Sequence, residues 1–474
     1  MATSGDLPIP RNLSAVGRPL APVLRRPAAA ALARKSILGL ASFALLIVLC
    51  LFDMNTVAYN LWGVNQAFSI VILVLCIVVL LLYRLTVYRD LGTAGRLYVL
   101  FFVALVAIGT PIGLSADPEG ILGRSFLIRL LLASLLIVMA AAVAARSVFL
   151  AYGVRFTLGG LFLLGLVIPL GIWISSYYPE FYRVRIGESR DLSRATGTYN
   201  NPNEAGAAVC MFAAMVFAYM MSGRSKLLST VLVVGALMIS ALAILLTASR
   251  GAFVVFALVS LAQVVISPGS KKLVLSLAAV AVVAGMAYAV FSYWVVREAT
   301  DRSQVERFES LGRVIRGEVT DETTGGRFEL AMNGIREWQK SPLLGNGLGT
   351  QRRVGAANIG PHNTYILIAG EAGIVPLALY LLMIAAIVWQ GWKCPVPAIR
   401  TFAMTFGFVL ALGSLTAHGV LQSREYALMM GLCFGFLSAA HELKAAERSR
   451  RPPPPFRPPV PRPLPSPPPS PSAA

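Results

Sequence analysis

The stretch LLSTVLVVGALMISALAILLTASRGAFVVFALVSLAQVVI, residues 227–266, decides the fold. Two apolar runs, at about 227–246 and 251–267, are separated only by the turn Thr247-Ala248-Ser249-Arg250-Gly251, in which Arg250 is the sole charge. A hydrocarbon core about 30 Å thick takes about 20 helical residues, so each run is long enough to cross it. The whole chain shares this character. Of its 474 residues 57% are hydrophobic and 13% charged, with a mean hydropathy of +0.71, whereas a soluble domain carries about 25% charge. That excludes an ordinary soluble globule. Further runs lie at about 36–52, 66–83, 95–114, 126–145, 156–174, 204–221, 272–293, 371–392, 400–418 and 424–440. The pattern predicts an all-α polytopic membrane protein with about twelve transmembrane helices, nine within residues 36–293 and three within 363–440.

The 41 basic and 22 acidic residues leave a net charge of +19. The basic residues are scattered between apolar runs and form no soluble basic surface, so no nucleic-acid partner is expected. Cys50, Cys76, Cys210, Cys394 and Cys433 lie in or beside apolar runs without CxxC spacing, which implies neither a disulfide framework nor a zinc site. Residues 1–35 are rich in Pro, Ala and Arg and read as a disordered basic cytoplasmic tail. The first apolar run is too long, and lacks the cleavage site, for a signal peptide. Residues 441–474, with 13 of the 29 prolines between 452 and 471, read as a second disordered cytoplasmic tail.

Orientation follows from Lys and Arg in the short connections. With the amino terminus inside, the inner connections carry Arg84, Arg89 and Arg96, then Arg146 and Arg155, Arg224 and Lys226, Lys271 and Lys272, and Lys393 and Arg400. The short outer turns carry one basic residue or none. Two outer segments are long, 175–203 and the large periplasmic loop 294–362, which is expected to contain short helices. Both contain aromatic residues and glycines that a plain linker would lack, so function is expected there.

The first of them ends in TGTYNNPNE, residues 196–204. Asn201-Pro202 forms a turn, Asn203 or Asn200 suits the cap of the next helix, and Glu204 suits its first turn. The same amides, with the Tyr199 ring, suit hydrogen bonding and stacking on a sugar. Arg250 in its tight turn is placed either as an interfacial anchor for lipid phosphates or as a stiffly held phosphate clamp.

In GGRFELAMNGIREWQKSP, residues 325–342, helical spacing puts Phe328, Met332 and Ile335 on one apolar stripe. Arg327 aligns with Ala331, Gly334 and Trp338 at the border of that stripe, and Arg336 falls on the wet side, so Arg327 is the arginine able to face a site. LLGNGLGT, residues 343–350, has glycine spacing reminiscent of a phosphate loop but no preceding strand and no GK[ST]. It reads as a flexible turn, with an anion cradle as the alternative.

PHNTYILIAGEAGI, residues 361–374, carries His362, the one histidine of three beside the arginine-bearing loop. On an unbroken helix Glu371 stands half a turn out of phase and about 13.5 Å away, which makes it a separate polar anchor. Arg129 is the main candidate for a charge buried at membrane depth, the kind of residue a transporter or lipid flippase would need.

Taken in order, TGTYNNPNE, TASRG, a long outer loop with GGR and Trp, and PHNTY followed by Glu and Gly resemble the O-antigen ligase and O-antigen polymerase superfamily. The resemblance spans residues 196–374. It implies a C-type membrane glycosyltransferase in the bacterial inner membrane, with both termini cytoplasmic and a periplasmic site. Such an enzyme moves a glycan from undecaprenyl diphosphate to a saccharide acceptor, either the lipid A core (ligase) or a growing lipid-linked chain (polymerase). Carried onto this sequence, Arg250 and Arg327 bind the diphosphate and His362 serves the acceptor hydroxyl. Arg194, Tyr199, Asn200, Asn203 and Glu371 are the expected substrate contacts. No cofactor is implied and no metal is needed, although Asp321 and Glu322 leave a metal open.

Overall fold

The computed structural model describes residues 26–54, 57–58, 67–82, 91–116, 121–178, 194–199, 201–223, 227–266, 285, 313, 316–318, 320, 326–351, 360–417 and 419–450. Among them there are thirteen helices and no strand. In order they are α1 (Arg26–Leu51), α2 (Ala67–Leu82), α3 (Gly92–Ala116), α4 (Ile121–Gly165), α5 (Val167–Tyr177), α6 (Pro202–Met220) and α7 (Leu227–Thr247). The second half adds α8 (Arg250–Ile266), α9 (Arg327–Lys340), α10 (Thr364–Ala372), α11 (Ile374–Trp392), α12 (Pro397–Thr416) and α13 (Arg424–Arg450).

Eleven of the twelve expected runs fall on these helices; of the twelfth, 272–293, only residue 285 is among the described residues. Among the described residues seven stretches are long and apolar enough to cross a membrane, and Leu40–Leu51, Phe68–Leu81 and Arg250–Ile266 are shorter apolar helices. The runs at 126–145 and 156–174 belong to one continuous stretch, Leu127–Tyr177, bent at Gly153 (φ 82°, ψ 168°), a backbone state that glycine adopts without a Cβ penalty. Helix α1 begins at Arg26 and α13 continues to Arg450, each within a stretch read from the sequence as a tail.

Small residues set the helix spacing. Gly431 and Gly435 of α13 lie so close to α4 that a Cβ would fall 2.5 Å from the Val138 carbonyl oxygen and 2.2 Å from that of Ala142. This is the small-residue packing that membrane helices use where hydrophobic burial gives no preference for protein over lipid. Aromatic rings fill the wider gaps, with Phe436 5.9 Å from Phe149 and 5.5 Å from Phe402, and Phe101 5.2 Å from Tyr380. Exposed Trp173, Tyr177 and Tyr178 mark one end of the bundle and Trp389 and Trp392 the other, as interfacial aromatics do.

The end holding Trp389 and Trp392 also gathers basic residues predicted on inner connections. Arg146 pairs with Glu442 at 2.6 Å, Lys393 lies 3.9 Å over the Trp389 ring, and Arg400 donates to the Cys394 carbonyl. Arg129, expected to be buried, is exposed. The opposite end, where α6, α8, α10 and α13 begin and α7 and α12 stop, carries the polar motifs.

Candidate functional site

A cavity of about 390 Å³, its open mouth included, lies between α6, α8, α12 and α13 at that polar end. Three helices line it with residues three or four apart, so each contributes one face. Asn203, Ser249 and Thr416 ring the mouth, Ala207, Ala252 and Gly413 follow one turn down, and Cys210, Val255 and Val409 lie deepest. The lining therefore runs from amide and hydroxyl groups to hydrocarbon along the helix axes. Arg327, at the start of α9, joins the wall at the mouth, and Tyr426 enters from α13. Close packing keeps the walls together, since a Cβ on Gly206 would come within 2.5 Å of the Ala252 Cβ and the Cys210 thiol donates to the Ala252 carbonyl at 3.4 Å.

The helix caps differ from expectation at one position. The cap of α6 is Asn201, whose side chain accepts from the Asn203 and Glu204 N–H groups at 3.0 Å each, and neither Asn200 nor Asn203 takes that role. Asn200 lies outside the described residues. Asn203 is thereby released to face the cavity, where its Oδ1 accepts from Ser249 Oγ at 3.1 Å and from Arg194 Nη2 at 3.3 Å.

Arg194 holds the turn between α7 and α8. Its Nε donates to the Thr247 carbonyl at 2.8 Å and Nη2 to the Ala248 carbonyl at 3.3 Å, while Ala195 N–H donates to the Leu246 carbonyl at 3.0 Å. A cation here satisfies carbonyls left open where α7 ends and stabilises Ala248 in its left-handed conformation, φ 45°. Arg250, the first residue of α8, is flanked by two cavity-lining residues, Ser249 and Gly251.

Tyr199 is turned inward. Its ring is 3% exposed and its hydroxyl donates to the Leu51 carbonyl at 2.5 Å, so the face expected to stack on a sugar is occupied by packing. Burial, reinforced by Glu425, Asp53 and Glu204, pushes this phenol well above its ordinary value and keeps it a neutral donor. Around it lies a polar cluster that motif reading missed. Arg424 pairs with Asp53 at 3.6 Å and donates to Ser69 at 2.9 Å, and Glu425 is buried against the Ser423 hydroxyl.

Helix α9 meets the rest of the site along its Arg327-Ala331-Gly334 line. Gly334 is buried, and a Cβ there would come within 2.7 Å of Ile366 and 3.3 Å of Pro361. The apolar stripe is not the packed face, since Phe328 remains 45% exposed; Arg336 is exposed as expected. His362 stands just before the cap of α10, where Asn363 Oδ1 accepts from Tyr365 and Ile366 N–H at 2.9 and 3.1 Å. Two residues on, the Thr364 hydroxyl donates at 2.5 Å to the carbonyl of Ala417, a lining residue. Of Arg250, Arg327 and His362, Arg327 lines the cavity and Arg250 lies between two lining residues, whereas the His362 segment touches the lining only through the Thr364–Ala417 bond.

The helix carrying Glu371 is continuous from Thr364 to Ala372, as its placement assumed, and breaks only after it. Gly373 (φ 82°, ψ −166°) ends α10 and α11 starts at once. Into this break fits the glycine-rich loop, with Gly345, Gly347 and Gly349 all at positive φ. Asn346 N–H donates to the Gly370 carbonyl at 2.7 Å, Gly347 to that of Glu371 at 3.1 Å, Leu348 to that of Gly109 at 2.7 Å, and Gly349 to Glu371 Oε1 at 3.0 Å. Four successive amides are already engaged, which leaves no anion cradle and makes the loop an anchored wedge where a flexible turn was expected. Asp321 and Glu322 lie outside the described residues, and no group of three or more metal-ligating side chains occurs among the described ones.

Ser249, Thr416 and Tyr426 are cavity residues that had not been singled out. Serine lay inside a quoted motif, but a lone Thr or Tyr at the end of an apolar run carries no signal of its own.

No curated protein matches the chain. Residues 235–381 match the family model described as O-antigen ligase. This segment takes in most of α7, the Arg250 turn, α8, α9, the glycine wedge, α10 and the first turns of α11. Over this segment, which is less than half of the chain, the sequence is similar to the O-antigen ligase family.

Proposed function

We propose that this protein is the glycosyltransferase that moves a glycan from undecaprenyl diphosphate to a saccharide acceptor on the periplasmic face of the bacterial inner membrane, as an O-antigen ligase whose acceptor is the lipid A core. The observation that supports this above all is the graded cavity. Its amide, hydroxyl and guanidinium rim above a hydrocarbon floor matches an amphiphile whose charged head lies at the membrane surface and whose tail lies in the bilayer.

Outside the cytoplasm a donor brings its own activation, and a lipid diphosphate is such a leaving group. The acceptor oxygen bonds to the sugar C1 as the bond from C1 to the phosphate oxygen breaks, and the bonding electrons leave with the diphosphate. Arg327 and Arg250 offset that charge as it develops, with forked N–H donors that fit phosphate oxygens and stay protonated at every working pH. The acceptor's proton passes to His362. Arg194 acts one step back, holding the Arg250 turn and Asn203 in register. The exposure of Arg129 takes away the transporter reading's main candidate charge.

Deleting the gene and separating the surface polysaccharide on a gel tests the assignment. Lipid A core without attached polymer is the expected result. A core carrying single repeats would establish a polymerase instead, and an unchanged ladder would overturn both.

A further inference from the structure

Tyr426 is 4% exposed and enters the cavity wall from α13, an element outside the matched family segment. Its backbone N–H is held by Ser423 Oγ at 3.4 Å, and among the described residues nothing donates to or accepts from its hydroxyl. The oxygen lies against Gly413 of α12, so close that a Cβ on that glycine would be 2.4 Å from it. Gly413 also lines the cavity. Along α12 it stands one turn, about 4.5 Å, below Thr416 at the mouth and about 6 Å above Val409 on the floor. The phenol is therefore presented where the lining changes from polar to apolar, and the missing side chain of Gly413 makes room for it.

A hydroxyl with no partner among the described residues, in a largely dehydrated wall, favours a ligand that supplies an acceptor. At that depth an ionised donor would be costly to bury, whereas a phenol is neutral and carries its own apolar ring. An isoprenoid diphosphate seated tail-down puts its head-to-tail junction at this level. The group at that junction is the phosphate bonded to the isoprenoid, whose oxygens only accept.

We propose that Tyr426 is a substrate-contacting residue whose hydroxyl donates to the lipid-proximal phosphate of the carrier, with Gly413 as the position that admits it. This rests on the diphosphate-donor reading above and adds to it a third, uncharged donor below the two arginines.

The test is calorimetric binding of farnesyl diphosphate and farnesyl monophosphate to the full-length protein in nanodiscs, with steady-state transfer kinetics alongside. Tyr426→Phe is expected to weaken diphosphate binding about 10-fold, on the scale of one hydrogen bond to a charged group. Transfer kcat/KM should fall by a similar factor with unchanged thermal stability. Gly413→Ala keeps the hydroxyl but displaces it, and should weaken the diphosphate at least as much, which preserves the test if the phenylalanine variant is unstable. Both variants should bind geranylgeraniol, which has a tail but no phosphate, like wild type; a merely structural role would lower all ligands together. Wild-type diphosphate affinity in both variants overturns the inference. Arg327→Ala separates the two levels, because loss there with full binding in Tyr426→Phe refutes only the tyrosine contact. Full binding in Arg327→Ala refutes the clamp on which it rests.

Discussion

Two short connections at the same end of the bundle, the turn at 247–251 and the glycine-rich wedge at 343–350, are both held by dense hydrogen bonding, yet they present opposite faces. In the wedge four consecutive amides are bonded to the broken α10–α11 helix and to α3, so its polar atoms are consumed by the fold. In the turn it is the carbonyls of residues 246–248 that are bonded, by Arg194 and Ala195, while Ser249 and Gly251 face the cavity with Arg250 between them. One connection builds the wall and the other equips it. Glycine content is no guide to which is which, since what matters is which residues line the cavity once the chain has folded.

The largest effect that sharpens this contrast is on chemistry. Arg327→Ala or Arg250→Ala should lower transfer from a lipid-linked donor by about 10²- to 10³-fold, about 2.7–4 kcal/mol of lost transition-state stabilisation, with stability kept. Near-wild-type rates in a reconstituted assay would remove the arginines from the reaction.

The wedge should respond in the opposite manner. A Cβ on Gly345 would lie 2.5 Å from the Ala372 backbone nitrogen, and one on Gly373 2.0 Å from the Leu343 carbonyl oxygen, both at positive φ. Either alanine variant should lose about 3 kcal/mol of stability, combining overpacking with left-handed strain. Tryptophan-detected unfolding in detergent reads that loss, and an unshifted midpoint would mean that the wedge is not anchored as described.

Arg194→Ala lies between the two. It leaves the Thr247 and Ala248 carbonyls and the Asn203 amide short of a charged donor, a loss of about 1.5–3 kcal/mol. Transfer should fall about 10-fold through misplacement of Arg250, with the rate partly restored in Arg194→Lys. A fall in the apparent donor KM with unchanged kcat would contradict a positioning role.

The smallest effect expected is that of Glu371→Gln, which keeps an oxygen to accept from Gly349 N–H and removes only the charge. Stability should change by less than about 1 kcal/mol and transfer should stay within about threefold of wild type. A larger loss of activity at unchanged stability would support the expected substrate contact of Glu371.

Much of this architecture was legible beforehand because membrane helices declare themselves locally. Runs such as 227–246 or 400–418 need no partner to be recognised, since bilayer thickness sets their length and hydrocarbon sets their composition. Arg327 was separable from Arg336 by helical phase alone, because 100° per residue is a property of the backbone and not of its neighbours. The apolar stripe by itself left open whether it faced the membrane or the bundle. Periodicity says which residues share a face, but at a membrane surface an apolar face need not be the one packed against protein, and Gly334 permits the closer approach.

The order of residues alone determined that the chain spans a membrane, that its polar motifs lie at helix ends, and that Arg250, Arg327 and His362 are the side chains to examine. Each of these depends on interactions within about two helical turns or on the lipid solvent. Only tertiary packing decided that Arg194 is a brace, that Tyr199 is spent on Leu51, that the glycine loop is closed, and that Thr416 and Tyr426 share a cavity with Asn203. Those facts join segments far apart in the chain, with 148 residues between Leu51 and Tyr199 and more than 200 between Gly109 and Leu348. No local rule fixes which distant carbonyl a donor will meet until the close contacts of Gly206, Gly413 and Gly431 set the distances between helices.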